Sequence, residues 1–164
     1  MISYFTDGST APTNPGPGGF AVIKNGTPYL IGGEVVDSTT PRDHTTNIRM
    51  EARAIFMAMD DFVIEKSAGR LAKSETAVLT TDSQFWINVL TKWAPTWERN
   101  HWTKKGGIKN LDLVVPLFAK YREFAMLGGS LNWTRGHVGT ELNELADHWA
   151  NEARRRALIG SQKV

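Results

Sequence analysis

Gly19-Phe20-Ala21-Val22-Ile23-Lys24-Asn25-Gly26-Thr27-Pro28-Tyr29-Leu30-Ile31 places two β-prone runs on either side of an Asn-Gly pair. Asn-Gly signals a two-residue hairpin, because the turn that matches strand twist needs positive φ at both central positions. The strands are read as Gly19 to Ile23 and Tyr29 to Val36. Upstream, Ile2 to Thr6 alternates and meets Asp7-Gly8-Ser9, which reads as a strand ending in a turn. Between them Asn14-Pro15-Gly16-Pro17-Gly18-Gly19 is rigid turn chemistry. The first third is therefore a three-stranded antiparallel meander.

Downstream the hydrophobic period changes. Ile55, Ala58, Met59, Phe62 and Val63 recur at helical spacing within Met50 to Lys66. Thr76 to Thr81 is a short β-prone run, and Asp82-Ser83 can cap a helix starting at Gln84. Leu111 to Met126 reads as a helix with Pro116 awkwardly inside it, Ser130 to Thr134 as a last strand, and Leu142 to Ala157 as an Ala-rich helix. This order implies an α/β fold, a mixed sheet with helices on its faces.

At 164 residues the chain suits one domain, and 41% hydrophobic with 22% charged residues sets it apart from disordered sequences. No apolar run approaches a membrane span, and the acid at position 7 with no basic residue before it argues against a secretory leader. A cytoplasmic location is the expectation. The absence of cysteine excludes disulfides, thiolate metal sites and Cys nucleophiles, so any metal must be held by oxygen or imidazole. The net charge of +2 conceals an asymmetry: Lys92 to Lys109 carries +4 and the rest of the chain −2. Trp93, Trp97 and Trp102 are interleaved with those cations. Such a stretch is either a nucleic-acid contact surface or an amphipathic segment whose tryptophans pack inward.

Four acids occupy telling positions. Asp7 and Asp82 follow the first and fourth strands, Glu51 opens the first long helix on its core-facing stripe, and Asp147 borders the buried stripe of the last helix. Singly, each has an ordinary reading: a turn cap, a residue beside an N-cap, a complement to a helix N-terminus, a solvated acid. Jointly, strand ends and inward helix faces aim them at one place. Clustered carboxylates require a neutralising cation, and all-oxygen ligation points to Mg²⁺ or Mn²⁺. Two such ions suit phosphodiester hydrolysis.

The motifs Phe5-Thr6-Asp7-Gly8-Ser9, Asn14 to Gly19, Thr45-Thr46-Asn47-Ile48-Arg49-Met50-Glu51, Thr81-Asp82-Ser83-Gln84, and Gly136-His137 followed by Asn143-Glu144 and Asp147 stand in order along the chain. Together they resemble ribonuclease H of the bacterial type 1 class from about Tyr4 to Ala153. The resemblance implies a ribonuclease H-like fold with a five-stranded mixed sheet, three antiparallel strands then two parallel, flanked by helices. It implies one catalytic domain over residues 1–164, with a basic handle at about 92–109 and a short tail at about 158–164. The implied activity is hydrolysis of the RNA strand of RNA–DNA hybrids with two Mg²⁺ ions, Mn²⁺ substituting, leaving 3′-hydroxyl and 5′-phosphate ends.

By resemblance Asp7 bridges both ions, Glu51 and Asp82 complete the leaving-group side, and Asp147 holds the ion carrying the attacking water. His137 assists proton transfer or product release, and Glu144 supports metal exchange. Asn14, Asn47 and Gln84 match minor-groove residues that sense the 2′-hydroxyl. Thr46, Arg49 and Thr96 match a DNA-phosphate pocket, and Trp93 an aromatic that packs on the DNA strand. Ile48 departs from the pattern, standing where a second Asn is usual, and the handle is shorter and less cationic than is common. No separate hybrid-binding domain is expected ahead of the first strand, and a monomer without an obligate protein partner is the default. The alternatives are a non-catalytic hybrid-binding module of the same fold and a DNA integrase- or transposase-like nuclease.

Overall fold

The hairpin forms where Asn-Gly demands it. Asn25 and Gly26 take φ values of 51° and 81° and join β2 (Gly18–Lys24) to β3 (Thr27–Glu34). The structure, a computed structural model, describes residues 1–13, 16–36, 39–41, 45–135, 141–156 and 159–164. β1 (Ile2–Thr10) runs antiparallel to β2, from Tyr4 opposite Lys24 to Thr10 opposite Gly18. β4 (Ala77–Thr81) lies parallel to β1 on its other side, and β5 (Gly129–Trp133) lies parallel to β4. The meander and the two parallel strands thus stand as the sequence implies.

Two expectations are corrected. The sheet has six strands, in the order β5-β4-β1-β2-β3-β6, because Gly160–Lys163, read as part of a tail, pairs antiparallel with β3 as β6. Its Gly-Ser-Gln-Lys sequence has no apolar alternation, so pairing alone makes it a strand. Asp7 is also not at a strand end, since β1 continues through Gly8 and Ser9 to Thr10. Gly8 serves a close approach rather than a turn: a methyl there would lie 2.5 Å from the Glu51 amide nitrogen and 2.7 Å from the Met50 carbonyl carbon.

Helices cover both faces. On one, α1 (Asn47–Ser67) buries Ile55, Ala58, Met59 and Phe62 against Tyr4, Val22 and Leu79, and α4 (Leu111–Met126) adds Val114, Leu117 and Phe124. Pro116 is accommodated in the second turn of α4, where its missing N–H removes the regular i→i−4 donor to the Asp112 carbonyl. On the opposite face, α5 (Glu141–Arg155) lays Ala150 and Ala153 on Ala21 and Ile31. Between β4 and α4 come α2 (Gln84–Asn88), capped by Ser83, a π-helical turn at Val89–Trp93, and α3 (Ala94–Arg99).

α1 is fixed by polar bonds as well as burial. Asp61 accepts hydrogen bonds from Tyr4 Oη (2.6 Å), Lys24 Nζ (2.7 Å) and Tyr29 Oη (2.8 Å), one from each strand of the meander. Burial raises the Asp61 carboxyl, but these three donors outweigh it and hold it below the usual carboxylate range. The charged form is thus favoured by the fold, and its contribution is lost only as pH falls through that depressed value. Because the helix backbone rests on Gly8, Gly8→Ala is expected to lower stability in urea unfolding by about 1–3 kcal/mol, the range for overpacking.

Candidate active site

The parallel ladder of β1 and β4 ends at the pair Thr6 and Thr81. The next residues are Asp7 and Asp82, so two carboxylates emerge from adjacent strands at one level. β1 continues beyond this point while β4 gives way to the turn before α2, which opens a notch in the sheet. Into it α1, held close by Gly8, brings Glu51 from its second turn. The result is a group in which one carboxylate oxygen from each of Asp7, Glu51 and Asp82 lies within 4.8 Å of the others. Asp7 is 5% exposed and Glu51 8%, so these charges lie largely out of water.

Electrostatics follow from that placement. Burial first, then the Asp82 charge, then those of Asp147 and Glu51, push the Asp7 carboxyl up to about 9 against one opposing bond from the Gly8 N–H at 2.9 Å. Burial and Asp82 raise Glu51 to about 7, although Ser83 and Asn47 hydrogen-bond to it, the latter at 3.0 Å. Both acids are thus stabilised as neutral groups unless a cation enters. Three mutually close oxygen donors with no cysteine nearby fit a hard divalent ion.

The four acids are not placed equally. Asp147, half-buried on α5, reaches the site from the opposite face of the sheet; its charge acts on Asp7, but it stands outside the close trio. Glu144 is exposed in the first turn of α5. Asn14 and His137 lie outside the described residues. Thr46 caps α1, its hydroxyl accepting from the Arg49 N–H at 3.4 Å. Arg49 makes a bidentate pair with Asp112 at 2.8 and 3.1 Å, so the guanidinium read as a phosphate ligand already holds a carboxylate. Gln84 is exposed beside the site, and the Thr96 hydroxyl accepts from Arg99 at 3.1 Å.

Both readings of the basic segment hold in part. Trp97 and Trp102 pack against the core, whereas Trp93 stays 40% exposed. It shares a recess with Phe85, Trp97, Lys104, Lys105 and Lys109. Trp133 on β5, which no sequence motif marks, donates its indole N–H to the Asp82 carbonyl at 3.2 Å and so steadies the turn carrying that acid. Trp133 lies opposite Thr81 in the ladder. No local pattern around Trp133 betrays this contact, which depends on strand register.

Comparison with known proteins agrees with this geometry. The model of the family RNase H matches residues 1–155. The ribonuclease H of Treponema pallidum subsp. pallidum is 34% identical over 166 residues, covering 95% of this chain and 92% of that protein. Among solved structures, LC9-RNase H1, described as a type 1 RNase H with the type 2 active-site motif, superposes with a TM-score of 0.67 at 23% identity, covering 99% of this chain and 77% of the other. LC11-RNase H1, solved in complex with an RNA/DNA hybrid, gives 0.60 at 21% identity, covering 96% and 99%. The family match and the curated relative, with the carboxylate cluster where the parallel ladder ends, place the chain in the class of nucleic-acid hydrolases. The chain belongs to the RNase H family, and its activity is that of a ribonuclease H.

The raised acids set a pH dependence. In the unfolded chain both carboxyls titrate near 4, and in the folded one at about 7 and about 9. Stability from the neutral forms is complete below pH 4 and is lost as pH rises through those folded values. Metal-free protein is therefore expected to melt at progressively lower temperature between pH 5 and pH 9. Asp7→Asn is expected to flatten that decline and to melt a few degrees higher at pH 8, as calorimetry would register.

Proposed function

We propose that this enzyme hydrolyses the RNA strand of RNA–DNA hybrids, leaving 3′-hydroxyl and 5′-phosphate ends, with two divalent cations, Mg²⁺ or in its place Mn²⁺, held by Asp7, Glu51, Asp82 and Asp147. The observation that carries this reading is the trio of carboxylates packed within 4.8 Å, whose charges the fold leaves to be neutralised from outside. Bound there, the cations would supply an activated water and stabilise charge on the leaving oxygen. Asp7 suits the bridging role because the charges of Asp82, Asp147 and Glu51 all act on it. Glu51, oriented by Asn47 and Ser83, and Asp82, steadied by Trp133, close one side; Asp147 faces Asp7 from the α5 side.

Substrate contacts follow from the same frame. Asn47 and Gln84 flank the acids at two helix starts, where they suit the minor groove of a hybrid; Asn14 and His137 are assigned to substrate and to proton transfer on the resemblance alone. Trp93 and the lysines around it offer a stacking face within a cationic recess, which suits the DNA strand. Arg49 binds a phosphate only by sharing or releasing Asp112, an exchange between two anionic partners of similar geometry. A binding module without catalysis would gain nothing from buried acids aimed at a phosphodiester.

The test is cleavage of an end-labelled hybrid with Mg²⁺. Cutting confined to the RNA strand is expected, and preferential cutting of duplex DNA would overturn the reading. Asp7→Asn is expected to bind the hybrid while losing cleavage by orders of magnitude. Trp93→Ala is expected to weaken hybrid binding by about 1–3 kcal/mol, the usual worth of a base–aromatic stack, with little change in turnover at saturation.

A further inference from the structure

Asp147 stands apart from the close trio, yet its carboxylate is not left to drift. One helical turn on, Asn151 donates from Nδ2 to Asp147 Oδ2 at 3.4 Å. The Asn151 carbonyl oxygen in turn accepts from the hydroxyl of Ser9 at 2.5 Å, and Ser9 Oγ accepts from Arg154 Nε at 3.0 Å. The direction of this relay is forced. A carboxylate only accepts, so the Asn151 amide N–H must face Asp147; its carbonyl is then left to accept the Ser9 proton, while Ser9 Oγ accepts from the Arg154 guanidinium. A flipped Asn151 would set its carbonyl oxygen against the Asp147 carboxylate, two acceptors with no proton between them.

The anchor of the relay is the strand that carries Asp7. Ser9 is 6% exposed and lies two residues after Asp7, on the same face of β1. It is paired with Gly19, and a methyl on Gly19 would collide with the Ala150 carbonyl and the Arg154 backbone, so α5 rests directly on this point of the sheet. The contact that seats α5 therefore also brings Asn151 to Ser9.

We propose that Asn151 is a positioning residue, anchored by Ser9 and Arg154, that holds the Asp147 carboxylate facing Asp7 so that the fourth ligand is in place when cations bind. The 3.4 Å bond is long for an N–H···O contact, which leaves Asp147 room to move toward the trio while still oriented. This rests on the reading of Asp147 as a ligand given above.

The experiment measures hybrid cleavage against Mg²⁺ concentration, together with the rise in melting temperature that Mn²⁺ gives the substrate-free protein. In Asn151→Leu and in Ser9→Ala, half-saturating Mg²⁺ is expected to rise about tenfold, the usual cost of removing a group that orients a ligand, with KM for the hybrid unchanged and a smaller Mn²⁺ shift. Ser9→Thr, which keeps the hydroxyl, is expected to restore both. Ser9→Ala, smaller by one oxygen, carries the test should Asn151→Leu not fold. Wild-type Mg²⁺ dependence in folded Asn151→Leu and Ser9→Ala, with Asp147→Asn inactive, would overturn the relay alone. An Asp147→Asn enzyme as active as the parent would overturn the ligand reading and the relay with it.

Discussion

Burying like charges at the end of a parallel strand pair is the constraint that organises this protein. Asp7 and Asp82 cannot move apart, because they are the first residues past a five-pair parallel ladder that hydrogen bonds between β1 and β4 hold in register. Glu51 cannot retreat, because α1 is pinned by Asp61 to all three strands of the meander. The carboxylates are therefore held together by elements whose stability comes from elsewhere: the aromatic and aliphatic core beneath α1 and α4, and the Asp61 bonds. This separation lets a repulsive cluster persist in a stable fold.

Two glycines set how near each helix comes, one on each face of the sheet. Gly8 admits the start of α1 and Gly19 admits α5, so the acids on those helices converge from opposite sides on the strand between them. A side chain at either position would push its helix outward and widen the cluster. These glycines serve clearance, whereas Gly26 serves its φ.

Most of this arrangement is legible in the sequence. The hairpin, the long amphipathic helix and the strand before Asp82 each carry a local signal, and the four acids stand out by the short motifs around them, although Asp7 lies inside β1 and Asp147 inside α5. Three kinds of feature escape. β6 has no hydrophobic alternation and exists only because β3 offers it an open edge. The course of β1 past Asp7 is hidden because Asp-Gly-Ser reads as a turn, whereas the glycine answers to a helix far along the chain. The contacts of Trp133 with Asp82, of Ser9 with Asn151 and of Asp112 with Arg49 depend on register and helix packing, which no window of sequence contains. The inward packing of Trp97 and Trp102 beside an outward Trp93 is a further case, since the π-helical turn that ends at Trp93 shifts the phase of the segment.

The added strand also bears on how the molecule behaves in company. Without β6, the outer side of β3 would present unpaired amides and carbonyls next to Leu30 and Ile31, a template for sheets to grow from one molecule to another. With it, the rim is four residues long and polar, and it carries Lys163, too brief and too hydrophilic to recruit a neighbouring strand. Two strands, β2 and β3, separate this capped rim from the strand that carries Asp7, so what protects it from joining a neighbour is spatially separate from the acids.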